Sequence, residues 1–133
     1  MSPQPPIAVI QGIGVDVVDV ARLRLVLEEQ GDAFLNKVFT DMEVTYCRTH
    51  KKPYLHFAAR FAAKEAVAKA MRTGWSGAFR WKDIEVINET SGAPRILLFR
   101  EVAEALGRCH VHLSLSHTDT TVVAFVIIEG PAR

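Results

Sequence analysis

The sequence predicts an α+β fold in which a small antiparallel sheet packs on one long central helix. Three observations carry that expectation. Pro53–Arg72 holds seven alanines between positions 58 and 70 and no glycine, the strongest helix-forming composition in the chain. Ile84–Ile87 and Arg95–Leu98 flank a turn, Asn88–Pro94, that contains Ser91-Gly92, which is the pattern of a hairpin. Val111–Ser116 alternates apolar and polar residues, and Thr121–Ile128 is a continuous apolar run expected to be a strand buried on both faces.

The remaining elements follow in order. Met1–Pro6 is a proline-rich extension, and residues 7–133 form a single domain. Ile7–Val15 is β-rich, and on a strand Ala8, Ile10, Gly12, Gly14 and Asp16 share one face. That face tapers to no side chain before ending in a carboxylate, as if something bulky lies against the glycines. A helix starts near Asp19 and runs to about Gln30, with Leu23, Val26 and Leu27 at helical spacing. Thr40-Asp41-Met42-Glu43 is a capping box opening a short helix to about Thr49. Arg48, His50, Lys51 and Lys52 form a basic cluster, Pro53 suits the first turn of the long helix, and Gly74 closes it. Arg100–Leu106 reads as a further helix.

Composition excludes whole classes of function. At 133 residues the chain is one domain, 49% apolar and 23% charged, as soluble globular proteins are. A net charge of +1 gives no general footprint for nucleic acid. Cys47 and Cys109 cannot make a disulfide framework and suit buried positions in a reducing compartment. The longest apolar run, Val122–Ile128, is far short of a membrane span, and no signal peptide opens the chain, so the expected location is cytoplasmic.

Chemistry concentrates in three places. In Arg60-Phe61-Ala62-Ala63-Lys64-Glu65-Ala66-Val67-Ala68-Lys69, four charges interrupt an apolar helix. Arg60 with Lys64, and Glu65 with Lys69, are i, i+4 neighbours; two solvated helix pairs are the plain structural reading. The surrounding alanines argue instead for charges held in a crowded, concave place. Asp16 alone reads as a cap, but Asp16 and Glu65 together suit Mg²⁺, which takes one or two protein carboxylates and completes its shell with water and substrate phosphates. Arg60, Lys64 and Lys69 would meet those phosphates. Ser114-Leu115-Ser116-His117-Thr118 ends a strand in hydroxyls and an imidazole, either an ordinary strand end or an anion-accepting one. The chain has no Gly-x-Ser-x-Gly elbow, no Walker loop and no third glycine after Gly12 and Gly14.

Gly12-Ile13-Gly14-Val15-Asp16, paired with Arg60–Lys69, resembles the two-part signature of 4′-phosphopantetheinyl transferases. The Gly92-Ala93-Pro94 turn and the Ser-Leu-Ser-His-Thr segment point to the short bacterial type, and the likeness runs from Ile7 to Glu129. That resemblance implies transfer of the 4′-phosphopantetheine arm of coenzyme A to a serine of acyl carrier protein, with release of adenosine 3′,5′-bisphosphate, in support of fatty acid biosynthesis. It implies Asp16 and Glu65 as Mg²⁺ ligands, Lys69 at the CoA pyrophosphate, and Arg60, Lys64, His117 and Thr118 at CoA phosphates. Gly92 and Pro94 match the turn that lies along the adenine. The serine nucleophile would belong to the partner, and its proton would pass to Glu65 or to a metal-bound water that Glu65 orients.

Two departures stand out. Arg72 and Trp75-Ser76-Gly77 replace a shorter glycine-rich link, and the presumed carrier-docking helix carries Glu28, Glu29 and Asp32 beside Arg22 and Arg24. Docking of an acidic carrier would therefore use Arg22, Arg24 and the Arg48–Lys52 cluster. A CoA-binding module without catalysis and a small metal-dependent phosphodiesterase are the competing readings. An intact Asp16, Glu65 and Lys69 set weighs against the first, and a missing two-metal cluster against the second. The apolar strands exceed what one small domain covers, which suits a cyclic oligomer, and the resemblance implies a homotrimer with sites between subunits.

Overall fold

Alanine on nearly every side of a helix leaves it without a broad solvent face, so such a helix belongs at the centre of a domain. A computed structural model, which describes residues 7–72 and 79–132, places it there. The elements are β1 (Ala8–Asp19), α1 (Val20–Val38), α2 (Asp41–Arg48), α3 (Pro53–Ala70), a 3₁₀ turn (Trp81–Asp83), β2 (Ile84–Asn88), β3 (Pro94–Leu98), α4 (Arg100–Leu106), β4 (His110–His117) and β5 (Thr121–Pro131). Three antiparallel strands in the order β1-β5-β4 cover one side of α3, and the separate hairpin β2-β3 packs near its middle. Met1–Pro6, Gly74 and Trp75-Ser76-Gly77, each given a part above, lie outside the described residues.

Local signals explain most boundaries. The Asp19 side chain accepts hydrogen bonds from Ala21 N and Arg22 N, so β1 runs directly into a capped α1. Thr40 and Glu43 form the full capping box of α2, and Pro53 begins α3.

Three expectations are corrected. β1 extends beyond Val15 because β5 keeps pairing with it as far as Asp19–Thr121. The helix expected to end near Gln30 resumes and runs to Val38. Its break is Gly31, at φ 58° and ψ −140°, a conformation open essentially to glycine. β5 is not buried on both faces. Val122, Ala124, Val126 and Ile128 point into the core, while Phe125 is exposed on the other side. There Phe125 pairs with Val15, and the Ile13–Ile127 and Val17–Val123 pairs flank it, so an apolar stripe crosses the outer sheet face.

Candidate active site

The site begins with two glycines. A Cβ on Gly12 would overlap the Ala70 carbonyl oxygen, and one on Gly14 would overlap that of Ala66, so β1 lies directly on the backbone of α3. Asp16, two residues further along the same strand face, therefore reaches the polar edge of that helix. Lys69 Nζ lies 2.9 Å from Asp16 Oδ1 and donates to the Val15 carbonyl at 3.1 Å. Glu65, one turn earlier on α3 and half-buried, lines a cavity of about 620 Å³ with Asp16, Arg22, Phe34, Phe61 and Thr121. The sequence reading of Asp16, Glu65 and Lys69 as one group agrees with this placement.

A second cavity, of about 300 Å³, gathers Arg60, Gly92, Pro94 and His117 with His56 and Asn88. Arg60 is 3% exposed; its guanidinium sits 4.0 Å from the Tyr46 ring centroid, and Nη2 donates to Asn88 Oδ1 at 2.8 Å. Asn88 Nδ2 in turn donates to the Gly92 carbonyl, at a turn where Gly92 adopts φ +91°. His117 Nδ1 lies 3.1 Å from the Thr118 carbonyl, which can only accept, so that nitrogen carries the proton and Nε2 is left available. Arg60 and Glu65 are about 140° apart around α3 at 100° per residue, so the two cavities flank different sides of the helix.

Lys64 requires a correction. Placed above at a CoA phosphate, it is instead fully buried: Nζ pairs with Glu43 Oε1 at 2.7 Å and donates to the carbonyls of Val38 (2.7 Å) and Trp81 (3.1 Å). Its three donors are spent inside the protein. Burial lowers its pKa, and the Glu43 carboxylate opposes that shift. Glu43 also accepts from Thr40 N and Val86 N, so one carboxylate ties α2, α3 and β2 together.

The other residues fall as follows. Thr118 Oγ1 accepts from Thr120 N and Thr121 N, which closes the β4–β5 turn beside His117. Arg24 is held by Glu28 at 2.8 Å and lies over the Tyr54 ring, whereas Arg22 is exposed and lines the carboxylate cavity. The basic cluster is less free than its sequence suggests. Lys52 pairs with Asp119, and His50 Nδ1 is 2.6 Å from the Tyr46 carbonyl.

Two carboxylates on an open cavity, with Lys69 beside them, fit a hard divalent cation that keeps water and substrate oxygens in its shell. Among the described residues no group of three or more His, Cys, Asp or Glu converges. Asp16 and Glu65 could hold such a cation with water and substrate oxygens completing its shell. Sequence reasoning missed His56, Asn88 and Tyr46. The spacing of His56 four residues before Arg60 was the one signal that placed it on the same helix face.

A carboxylate-lined cavity and a basic one thus flank the same helix. Residues 12–126 match the model of the 4′-phosphopantetheinyl transferase superfamily, and the chain belongs to that family. It is 42% identical over 125 residues to the holo-[acyl-carrier-protein] synthase of Geobacter sp. (strain M21), covering 90% of this chain and 98% of that relative. The crystal structure of the holo-[acyl-carrier-protein] synthase from Neisseria meningitidis superimposes with a TM-score of 0.82 at 35% identity, covering 90% of this chain and 98% of that one. The Bacillus anthracis enzyme, solved in complex with CoA (3′,5′-ADP), gives 0.77 at 33%, covering 91% and 97%.

Proposed function

We propose that the protein transfers the 4′-phosphopantetheine arm of CoA to a serine of acyl carrier protein, releasing adenosine 3′,5′-bisphosphate. In this reading it is a Mg²⁺-dependent, cytoplasmic homotrimer that supplies holo-carrier for fatty acid biosynthesis. The observation that carries it is the delivery of Asp16, by the Gly12 and Gly14 contacts, to the Glu65–Lys69 edge of α3. No helix among the described residues is long and apolar enough to cross a membrane.

The chemistry follows from charge. The serine oxygen bonds to the phosphorus that carries pantetheine, and that phosphorus loses its bond to the pyrophosphate bridging oxygen. Such transfers depend chiefly on positioning and charge stabilisation. When bound between Asp16 and Glu65, Mg²⁺ would supply positive charge at the pyrophosphate. Lys69, half exposed and already beside Asp16, adds a mobile cation to the same anion. Glu65 accepts the serine proton, directly or through a water that it orients. Arg60, His117, Gly92 and Pro94 hold the nucleotide end, with Thr118 setting the turn beside it. The two cavities flank different sides of α3, and the outer sheet face carries an uncovered apolar stripe. Both features support one CoA spanning two copies, with the carboxylates from one and His117 from the next.

Incubation with CoA, Mg²⁺ and apo-carrier should add one phosphopantetheine to the carrier mass and release adenosine 3′,5′-bisphosphate. Asp16→Asn and Glu65→Gln should each remove the Mg²⁺-dependent reaction while keeping the circular dichroism spectrum. No mass gain with the wild-type protein would overturn the reading.

A further inference from the structure

The nucleotide-side cavity contains an imidazole that the residues assigned to it leave unused. His56 lines it from α3, one turn before Arg60, so the two side chains project on the same side. No carboxylate is among the lining residues. Arg60 is almost wholly buried, and its Nε has no hydrogen-bond partner. A buried guanidinium with an unmet N–H is costly, and an anionic oxygen would satisfy it.

The surroundings of His56 are aromatic and basic. From α2 and the loop after it come Tyr46, whose ring lies 5.6 Å from His56 edge-on, and His50 at 4.4 Å between centroids. Arg60 faces it from α3 and His117 from the end of β4, while Lys52, one turn earlier, is occupied by Asp119. In the free protein partial burial, the largest cause, together with His50, Arg60 and His117 lowers the pKa of the imidazole.

We propose that His56 binds the phosphomonoester at the adenosine 3′,5′-bisphosphate end of CoA and takes up a proton as it does so. Recognition of CoA is then proton-linked, and His56 discriminates CoA from its dephosphorylated analogue. The inference rests on the CoA reading above. A phosphomonoester brings close to two negative charges near neutral pH. Placed among Arg60, His56 and His117, it reverses the sign of the local field, so the protonated imidazole becomes the favoured form and donates to a phosphate oxygen.

The sign of the pH dependence follows. Below the lowered pKa of free His56 the ring is protonated with or without ligand, and binding takes up no proton there. Between that pKa and the raised one of the complex, affinity falls as pH rises. Replacing His56 should flatten this slope, so the affinity ratio of wild type to variant shrinks from about ten-fold at the acidic end toward one as pH rises through the raised pKa of the complex.

The test is calorimetric titration of CoA in two buffers of different ionisation enthalpy, for wild type, His56→Gln and His56→Phe. Wild type should take up protons near pH 7, and both variants should lose most of that uptake. Dephospho-CoA should bind wild type with little uptake. A parallel measurement on the wild-type protein follows the His56 Cε1–H resonance with and without adenosine 3′,5′-bisphosphate, and its pKa should rise on binding. Equal uptake in wild type and both variants, equal uptake with dephospho-CoA, or an unmoved His56 pKa would each overturn the proposal while leaving the CoA reading intact. Failure of wild type to bind CoA at all would overturn both.

Discussion

Gly14→Ala places one methyl group between two backbones that already touch. The added Cβ would overlap the Ala66 carbonyl oxygen and lie 2.8 Å from Ala70 N and 2.9 Å from Ala66 C. Neither Ala66 nor Ala70 is exposed, and a helix backbone cannot rotate aside as a side chain can. Restoring ordinary contact near 3.4 Å with the Ala66 carbonyl oxygen requires β1 and α3 to part locally by more than ~1 Å. Overpacking of this kind costs typically 1–3 kcal/mol, and backbone on the opposing side puts this site at the upper end, about 3 kcal/mol. Asp16 rides on the same strand, so turnover should fall by about 10²-fold as the carboxylate leaves its place beside Lys69. Urea denaturation at fixed protein concentration and the transfer assay at the same temperature measure the two effects. Gly92→Ala is the control: a Cβ there meets nothing within 4 Å, so only the φ of +91° opposes it, at about 1 kcal/mol. A Gly14→Ala protein within about 0.5 kcal/mol of wild type, with normal turnover, would refute the close-approach reasoning.

Other substitutions separate structural from functional charges. Lys64→Met leaves the Glu43 carboxylate buried without its partner and should cost about 3–5 kcal/mol in denaturation, whereas Lys69→Met should leave stability nearly unchanged and lower transfer. A folded Lys64→Met protein impaired only in KM for CoA would return Lys64 to the ligand. Arg22→Glu should raise KM for carrier protein more than Arg24→Glu, because Glu28 already holds Arg24, and the wild-type rate should fall with salt; equal effects would remove that distinction. Val15→Lys, in the centre of the outer apolar stripe, should lower the assembly mass by light scattering and abolish transfer together. A full-sized, active Val15→Lys assembly would show that this face is not the interface.

The elements that could be read along the chain are those whose signals are local. Alanine density marks α3, Thr40 and Glu43 cap α2, and Ser91-Gly92 places the hairpin turn. The taper from Gly12 and Gly14 to Asp16 is also local, and so the carboxylate group was legible. What escaped depends on distant partners. Lys64 looks like a ligand cation beside Glu65, and only the arrival of Glu43 from 21 residues away turns it into a core residue. Residues Asp32–Val38 continue α1 because glycine absorbs a break that propensity alone reads as an end. The outer face of β5 is apolar yet leaves Phe125 exposed, and a run of apolar residues reads the same whether one face or both are covered.

CoA spanning two copies is tested most directly by mixing subunits. Asp16→Ala and His117→Ala proteins should each be poor alone. In randomly mixed trimers a working site needs intact Asp16 from one copy and intact His117 from the next, so about a quarter of sites regain wild-type composition. The transfer rate of the co-refolded mixture should rise clearly above both parents. No gain despite verified subunit exchange, with His117→Ala truly impaired on its own, would show that the site is built within a single chain.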